Sequence, residues 1–115
     1  MSHILLVGSG EVDHVKDVII NGLAYYMSDI SHVINRSQDE RKYVLIVAEK
    51  HFFRNKSRAS LTVVIQNFGA DIYVDAVGSA GGAGLIFDVS FGANSELSER
   101  VANLLIPLGF IVVNS

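Results

Sequence analysis

The segment from Gly78 to Gly84 has the residue types and spacing most suited to binding chemistry. It reads Gly-Ser-Ala-Gly-Gly-Ala-Gly, and five of the ten glycines of the chain lie between residues 78 and 92. Successive backbone N–H groups in glycine-rich turns can form a concave nest that binds an anion. The segment therefore predicts a small-molecule or anion site, to which these residues would contribute: Gly78, Ser79, Gly81, Gly82, Gly84 and Asp88.

The same segment has a structural alternative, in which the glycines allow a strand to kink or bulge, or a helix to approach the backbone closely. A phosphate-binding Walker loop would need Gly-Lys followed by Ser or Thr, and residues 78–84 contain no lysine. Both interpretations stay open, with the structural one favoured.

A cluster of cations at residues 50–58 is the second candidate site. Lys50, Arg54, Lys56 and Arg58 lie beside two phenylalanines, and cations next to aromatic rings can bind nucleic acid. The net charge of −3 and the pI of about 5.7 oppose this, because sequence-independent nucleic-acid binders carry a basic excess. A solvated hairpin tip is favoured, and nucleic acid is not an expected partner.

The residues Gly8-Ser-Gly10 come between a strand and a helix, as the first two glycines of a dinucleotide-binding fingerprint do. The third position of that fingerprint needs a small residue, and Asp13 stands there. The carboxylates of Glu11 and Asp13 would also repel a pyrophosphate. The pattern is therefore typical of a plain strand-to-helix turn.

No catalytic or metal-binding constellation is recognisable in the sequence. The four histidines, His3, His14, His32 and His51, are far apart, and the chain has no cysteine. Neither the His-Glu-x-x-His spacing of a zinc site nor the Gly-x-Ser-x-Gly nucleophile elbow occurs. We expect no catalytic residue, no bound metal and no cofactor.

Hydrophobic periodicity predicts the elements that position these residues. The first helix has an apolar stripe, with Ser9 or Gly10 as its N-cap, and Pro107 with Gly109 ends the second. The predicted strands are His3–Val7, Ile30–Ser37, Tyr43–Phe53, Arg58–Phe68 and Ile72–Val77, with Leu85–Phe91 as a further strand candidate and Phe110–Val113 as a last strand or a packed tail. The predicted helices are Glu11–Ser28, with the stripe Val12, Val15, Ile19, Leu23 and Tyr26, and a second from Asn94 or Ser95, with the stripe Leu97, Val101, Leu104 and Leu105.

The turns between the middle strands are too short for parallel crossovers, so these strands form an antiparallel meander. Residues 1–115 are predicted to form a single α+β domain, one antiparallel sheet with two helices packed on one face. The order of strand, helix, four or five strands and helix resembles that of TATA-binding-protein-like and helix-grip folds, an analogy that carries no function.

The composition and the lengths of the apolar runs indicate the cellular compartment of the protein. The absence of cysteine fits a reducing compartment. The apolar runs are far shorter than the roughly 20 residues of a membrane-spanning helix, and the first residues show no basic leader. We therefore expect a cytoplasmic protein without a membrane partner.

The stretch from Gly78 to Asn94 resembles a segment in an uncharacterised family of small bacterial proteins. In that family a glycine-rich turn precedes a short strand, an aromatic-Gly-Ala step and a C-terminal helix. The resemblance extends from the first strand to Leu105, and the apolar tail Phe110–Val113 departs from it. The family has no assigned activity, so the resemblance implies a fold and no catalytic residue.

Three functional hypotheses follow. The first is a non-enzymatic binding or interaction module that forms a homodimer, because an open sheet leaves a second face or its edges to be covered. The second is a small-molecule or anion-binding protein, which could be an enzyme, using residues 78–84. The third is nucleic-acid binding through the basic hairpin 50–58.

Overall fold

The sequence folds into one antiparallel sheet and two helices. The computed structural model describes residues 2–52, 57–82 and 87–114. The strands are β1 (Ser2–Ser9), β2 (Asp29–Gln38), β3 (Arg41–Phe52), β4 (Ser57–Phe68), β5 (Asp71–Gly82) and β6 (Ile111–Asn114). The helices are α1 (Val12–Ala24) and α2 (Phe87–Leu105), and a 3-10 turn at Ile106–Leu108 follows α2.

The described strands form a six-stranded sheet in the order β2-β3-β4-β5-β1-β6. Every neighbouring pair is antiparallel, so the predicted α+β class and the antiparallel meander from β2 to β5 are confirmed. The turns after β2 and β4 use left-handed backbone at Asp39 (φ 56°) and Gly69 (φ 60°), as two-residue hairpins require. The Asn67 side chain ties these turns together, since it accepts from the Lys42 N–H at 2.8 Å and donates to the Glu40 carbonyl at 2.8 Å.

Alternating side chains give the sheet two unlike faces. One face is buried against both helices, which confirms that they pack on the same side. The core joins the sheet residues Ile4, Leu6, Val44, Ile46, Ala48, Ala59, Leu61, Val63, Ile65, Ile72, Val74 and Ala76 to the helix residues Val12, Val15, Ile19, Leu23, Leu97, Val101, Ala102 and Leu105.

Helix α1 buries the predicted stripe of Val12, Val15, Ile19 and Leu23. Its N-cap is Glu11, without a side-chain capping bond, so the predicted cap at Ser9 or Gly10 is wrong: Gly10 has a φ of 127° and turns the chain before the helix begins. The helix ends at Ala24, short of the predicted Ser28. The Ser28 N–H already donates to the Glu49 carbonyl of β3 at 2.8 Å.

The predicted strand Leu85–Phe91 is wrong over Phe87–Phe91, because α2 begins at Phe87 and includes the residues up to Leu105. Its first two residues, Leu85 and Ile86, lie outside the described residues. The predicted helix start at Asn94 or Ser95 is therefore too late. Phe87 and Phe91 are four residues apart, which is the spacing of neighbours on one face of a helix. The short apolar run that contains them is equally typical of a strand. Strand β5 in turn extends to Gly82, beyond the predicted end at Val77.

The C-terminal segment returns to the sheet as an edge strand. Gly109 has a φ of 96° and ends the turn after α2, as the sequence predicts for Pro107 and Gly109. Strand β6 then pairs with β1, which confirms the strand alternative for the tail. Among the described residues, no helix is both long enough and apolar enough to cross a membrane.

Candidate functional site

The glycines of the first candidate site lie mainly within a strand. Gly78 is opposite Ser2 of β1 and Leu61 of β4, and the β5–β4 pairing extends to Gly81 and Gly82. Successive N–H groups of a strand point to opposite sides, so residues 78–82 present an ordinary ladder. Ser79 lies opposite Ser60 on the same ladder.

The remaining two residues of that candidate site have different positions. Gly84 lies outside the described residues. Asp88 lies in α2 and not on the strand that the sequence predicts for this part of the chain. Ligand binding by the glycine-rich segment stays a prediction.

The basic hairpin does not bring its described cations together. Lys50 is opposite Ala59, and Arg58 is opposite the next residue, His51; adjacent pairs of a ladder point to opposite faces. Lys50 and Arg58 therefore lie on different sides of the sheet. Arg54 and Lys56 lie outside the described residues, and nucleic-acid binding stays a prediction.

Lys50 instead belongs to a cluster around Tyr26 on the helix side. Its Nζ donates to the Tyr26 carbonyl at 2.8 Å and lies 4.6 Å from the centre of the Tyr26 ring. The guanidinium carbon of Arg100 lies 3.4 Å from the same ring centre. The Tyr26 hydroxyl donates to Glu96 at 2.8 Å. The cluster joins the end of α1 to β3 and α2.

The pKa of Tyr26 is raised above that of an ordinary tyrosine, mainly by burial and next by the hydrogen bond to Glu96. Both causes favour the protonated phenol, which donates the hydrogen bond to Glu96. Sequence reasoning missed Glu96 and Arg100. The four-residue spacing of this ion pair, with 3.3 Å between Arg100 Nη2 and Glu96 Oε1, is the signal that could have found them.

Serine, histidine and aspartate side chains come near one another at the start of β1 without forming a catalytic arrangement. The hydroxyl groups of Ser2 and Ser98 are 2.8 Å apart, and Ser98 is buried. His3 Nε2 is 2.7 Å from Asp75 Oδ1. Because Ser2 and His3 are successive strand residues, they point to opposite faces of the sheet. The imidazole therefore does not face either serine.

The described residues contain no group of three histidine, aspartate or glutamate side chains placed to hold a metal ion. Of the four histidines, His3, His32 and His51 lie on three different strands, and His14 lies on α1. The positions of these side chains give no support to metal chemistry in the described part of the chain.

The sheet face away from the helices is covered by no helix or strand among the described residues. We call it the open face. Apolar side chains occupy its centre, and each is only partly buried: Leu5, Val7, Leu45, Val47, Val64 and Val77. The cross-strand pair Leu45–Val64 and the row Val47–Thr62–Val77 connect this centre over β3, β4 and β5. Asp75, paired with His3, lies between Val64 and Leu5 on the same face.

Apart from the His3–Asp75 pair, the charged and aromatic side chains of this face lie towards its two ends. Arg41 lies over the Phe68 ring at 4.8 Å, and the rings of Phe68 and Tyr73 meet edge to face at 5.3 Å. At the other end, Arg58 Nη1 is 3.7 Å from Glu49 Oε2. An apolar centre within a polar rim is the anatomy of a protein interface.

The fold and the open face define a class of small α+β proteins in which helices cover one side of an antiparallel sheet. The chain belongs to a family of unknown function (DUF6054), whose model matches residues 1–108. The match ends before β6. No curated protein and no solved structure matches the chain.

Proposed function

We propose that this protein is a small, non-enzymatic interaction module that associates with a second copy of itself through the open face of its sheet. One observation carries the proposal. Helices bury one face of the sheet, whereas Leu5, Leu45, Val47, Val64 and Val77 on the other face remain partly exposed. An uncovered surface that is rich in apolar side chains and carries polar groups at its edge is typical of an interaction site.

The size of the open face supports a second copy as its partner. Strands lie about 4.8 Å apart and rise about 3.4 Å per residue, so eight residues of each of the five strands β1 to β5 cover about 24 by 27 Å. The resulting area of roughly 650 Å² is somewhat below the roughly 800 Å² that each partner contributes to a standard interface.

The chemistry of the face supports the same partner. In a two-fold dimer each protomer contributes the same patch, so the apolar centre of one sheet would lie against the apolar centre of the other. Two sheets pack in this way about 10 Å apart, with their inner side chains interdigitated. The rim residues, among them Arg58 and Glu49, would remain at the wet edge of the interface.

The proposed setting is the reducing cytoplasm of a bacterium. The support is the absence of cysteine from all 115 residues, which suits a reducing compartment, together with the resemblance to small bacterial proteins. Fractionation of the native host with an antibody to the protein tests this setting.

The test of self-association is a lysine at the centre of the open face. Val64 lies directly opposite Asp75 on β5, so a lysine there has a neighbouring carboxylate in the free protomer. In the dimer the added ammonium group and the Asp75 carboxylate would both have to leave water, at a cost of several kcal/mol for each buried charge. We expect a wild-type dimer and a monomeric Val64→Lys variant in sedimentation velocity at micromolar concentration.

Asn21→Lys is the matched control, because Asn21 is exposed on α1. This variant adds the same charge and should remain dimeric, and circular dichroism should show both variants folded. A wild-type protein that stays monomeric at about 100 μM, a concentration far above the Kd of an ordinary stable dimer, would contradict the proposal.

A dimer that survives Val64→Lys but is lost in Val113→Lys would also overturn the open-face interface. That result would assign self-association to the edge of β6, where Ile111 and Val113 are 69% and 60% exposed. Free strand edges can pair with another chain.

A further inference from the structure

We propose that the corner of the sheet where β2 meets β3 is an oxyanion-binding cleft, built around the guanidinium groups of Arg36 and Arg41. Its ligand is the phosphate or carboxylate group of a small molecule. The cleft is complete within one protomer, so this proposal does not rest on self-association.

The strand register places the two arginines side by side. Arg36 lies opposite Tyr43, and Gln38 lies opposite Arg41. Arg41 and Tyr43 are two residues apart on β3 and therefore point to the same face, the open one. Arg36 and Arg41 are thus diagonal neighbours, a relation that sets the backbones about 7–8 Å apart. Two arginines whose backbones are this close can bring both guanidinium groups to one anion.

Neither guanidinium is neutralised within the part of the chain that the structure describes. Arg36 Nη1 donates to the backbone carbonyl of Asn35 at 3.1 Å, and Arg41 lies over the Phe68 ring. No carboxylate of the described residues forms an ion pair with either. Lys42, by contrast, points to the helix side, where its Nζ is 2.9 Å from Asp13 Oδ2. An oxyanion would supply the missing negative charge and accept paired N–H bonds from the arginines.

A cavity of about 470 Å³ lies at these two arginines. That volume falls within the range of about 300–1,000 Å³ typical of small-molecule sites. Its lining also includes Ser37, Gln38, Lys42, Tyr43 and Gln66. The amide and hydroxyl groups of Gln38, Tyr43 and Gln66 can donate further hydrogen bonds to an anion. The cavity therefore has room for a ligand larger than a single phosphate.

Substitution of Asp39 should change the affinity for an anion in the opposite direction from substitution of either arginine. Its carboxylate also lines the cavity and would repel an anion there. Asp39 has a left-handed backbone, with a φ of 56°, a conformation that asparagine tolerates as well as aspartate does. Asp39→Asn therefore removes the charge without straining the turn.

The test is a titration of the full chain, at low salt, with inorganic pyrophosphate and separately with citrate, followed by calorimetry and by backbone amide shifts. We expect binding of at least one of them, with the largest shifts in residues 36–43. Arg36→Gln and Arg41→Gln should each weaken it by about tenfold or more, as expected for loss of a charge-assisted bond. Asp39→Asn should tighten it.

Arg58→Gln is the matched control, because Arg58 lies at the opposite end of the same face beside Glu49. The affinity of this variant for the anion should stay within about twofold of the wild-type value, a change of under 1 kcal/mol. Binding of pyrophosphate alone assigns the cleft to phosphate groups, and binding of citrate alone assigns it to carboxylates. Failure of both anions to bind at millimolar concentration, or equal weakening by Arg58→Gln, would overturn the proposal. Amide spectra of every variant check that the fold is unchanged, which is expected because Arg36 and Arg41 are exposed.

Discussion

The ion pair between Asp13 and Lys42 joins the first turn of α1 to β3, with 2.9 Å between Oδ2 and Nζ. The hydrogen bond from Lys42, followed by its charge, holds the pKa of Asp13 below the usual aspartate range. The same bond raises the pKa of Lys42. A carboxyl group whose pKa is lowered by folding stabilises the fold above its unfolded pKa. That contribution is lost as the pH falls through the lowered value. Both side chains are exposed, so the contribution is small.

Replacing Lys42 with methionine should therefore raise the pKa of Asp13 towards the ordinary range. An NMR titration of the side-chain carboxyl carbon measures this directly. Lys16→Met is the comparison variant, because the charge of Lys16 lowers the same pKa only as the last of the four causes. Equal shifts in the two variants would show that the Lys42 hydrogen bond is not the main cause.

At the scale of elements, the close packing of Gly8 against Phe110 decides how the C-terminal segment joins the sheet. A Cβ at Gly8 would lie 2.6 Å from Cγ of the Phe110 ring, and Phe110 is 4% exposed. The ring therefore occupies the space that any other residue at position 8 would need. A Cβ at Gly22 of α1 would likewise overlap with the Leu104 side chain of α2. Glycine therefore permits close approach at two contacts between elements.

Gly8→Ala should destabilise the protein by about 1–3 kcal/mol, the usual cost of overpacking a filled core. Urea unfolding gives the free energy of unfolding for Gly8→Ala, Phe110→Ala and the double variant. The double variant should lose less than the sum of the two single losses, because Phe110→Ala removes the Cγ and Cδ atoms that an added Cβ at position 8 would meet. Additive losses, or a Gly8→Ala protein as stable as wild type, would exclude the overlap as the cause.

At the scale of the whole molecule, both helices and five of the strands contribute to one core cluster or pack directly against it. A shared core makes separate unfolding of an element costly, so the folded protomer should unfold as one cooperative unit. Self-association through the open face would make the apparent free energy of unfolding depend on protein concentration, because the partner binds only the folded state.

The apparent Tm should consequently rise by a few degrees for each tenfold increase in protein concentration. A tenfold change corresponds to at most about 1.4 kcal/mol, which in a domain of this size moves the Tm by a few degrees. Differential scanning calorimetry over a hundredfold concentration range measures the trend. Val64→Lys should remove the trend while the transition stays cooperative. A wild-type Tm independent of concentration would count against the dimer.

Much of this architecture could be predicted from local patterns of residues. The alternation in β3, β4 and β5, the stripe of α1 and the short turns between strands specify an antiparallel sheet with helices on one face. These signals suffice because each reflects a regular backbone period and the side on which apolar groups leave water. The boundary between β5 and α2 could not be placed, since the spacing of Phe87 and Phe91 fits either kind of element.

The sequence by itself determined the class of fold and most of the residues that the two helices bury, although Tyr26 and Leu104, which the sequence predicts in the apolar stripes, are only partly buried. Only the tertiary structure decided which polar side chains meet. Arg36 and Arg41 are separated by a turn, and it is the register of β2 against β3 that makes them neighbours. Ser2 and Ser98, like Tyr26 and Arg100, come from distant parts of the chain. Burial follows from the hydrophobicity of each segment, whereas contacts between distant side chains depend on strand order, register and helix packing, which no local period encodes.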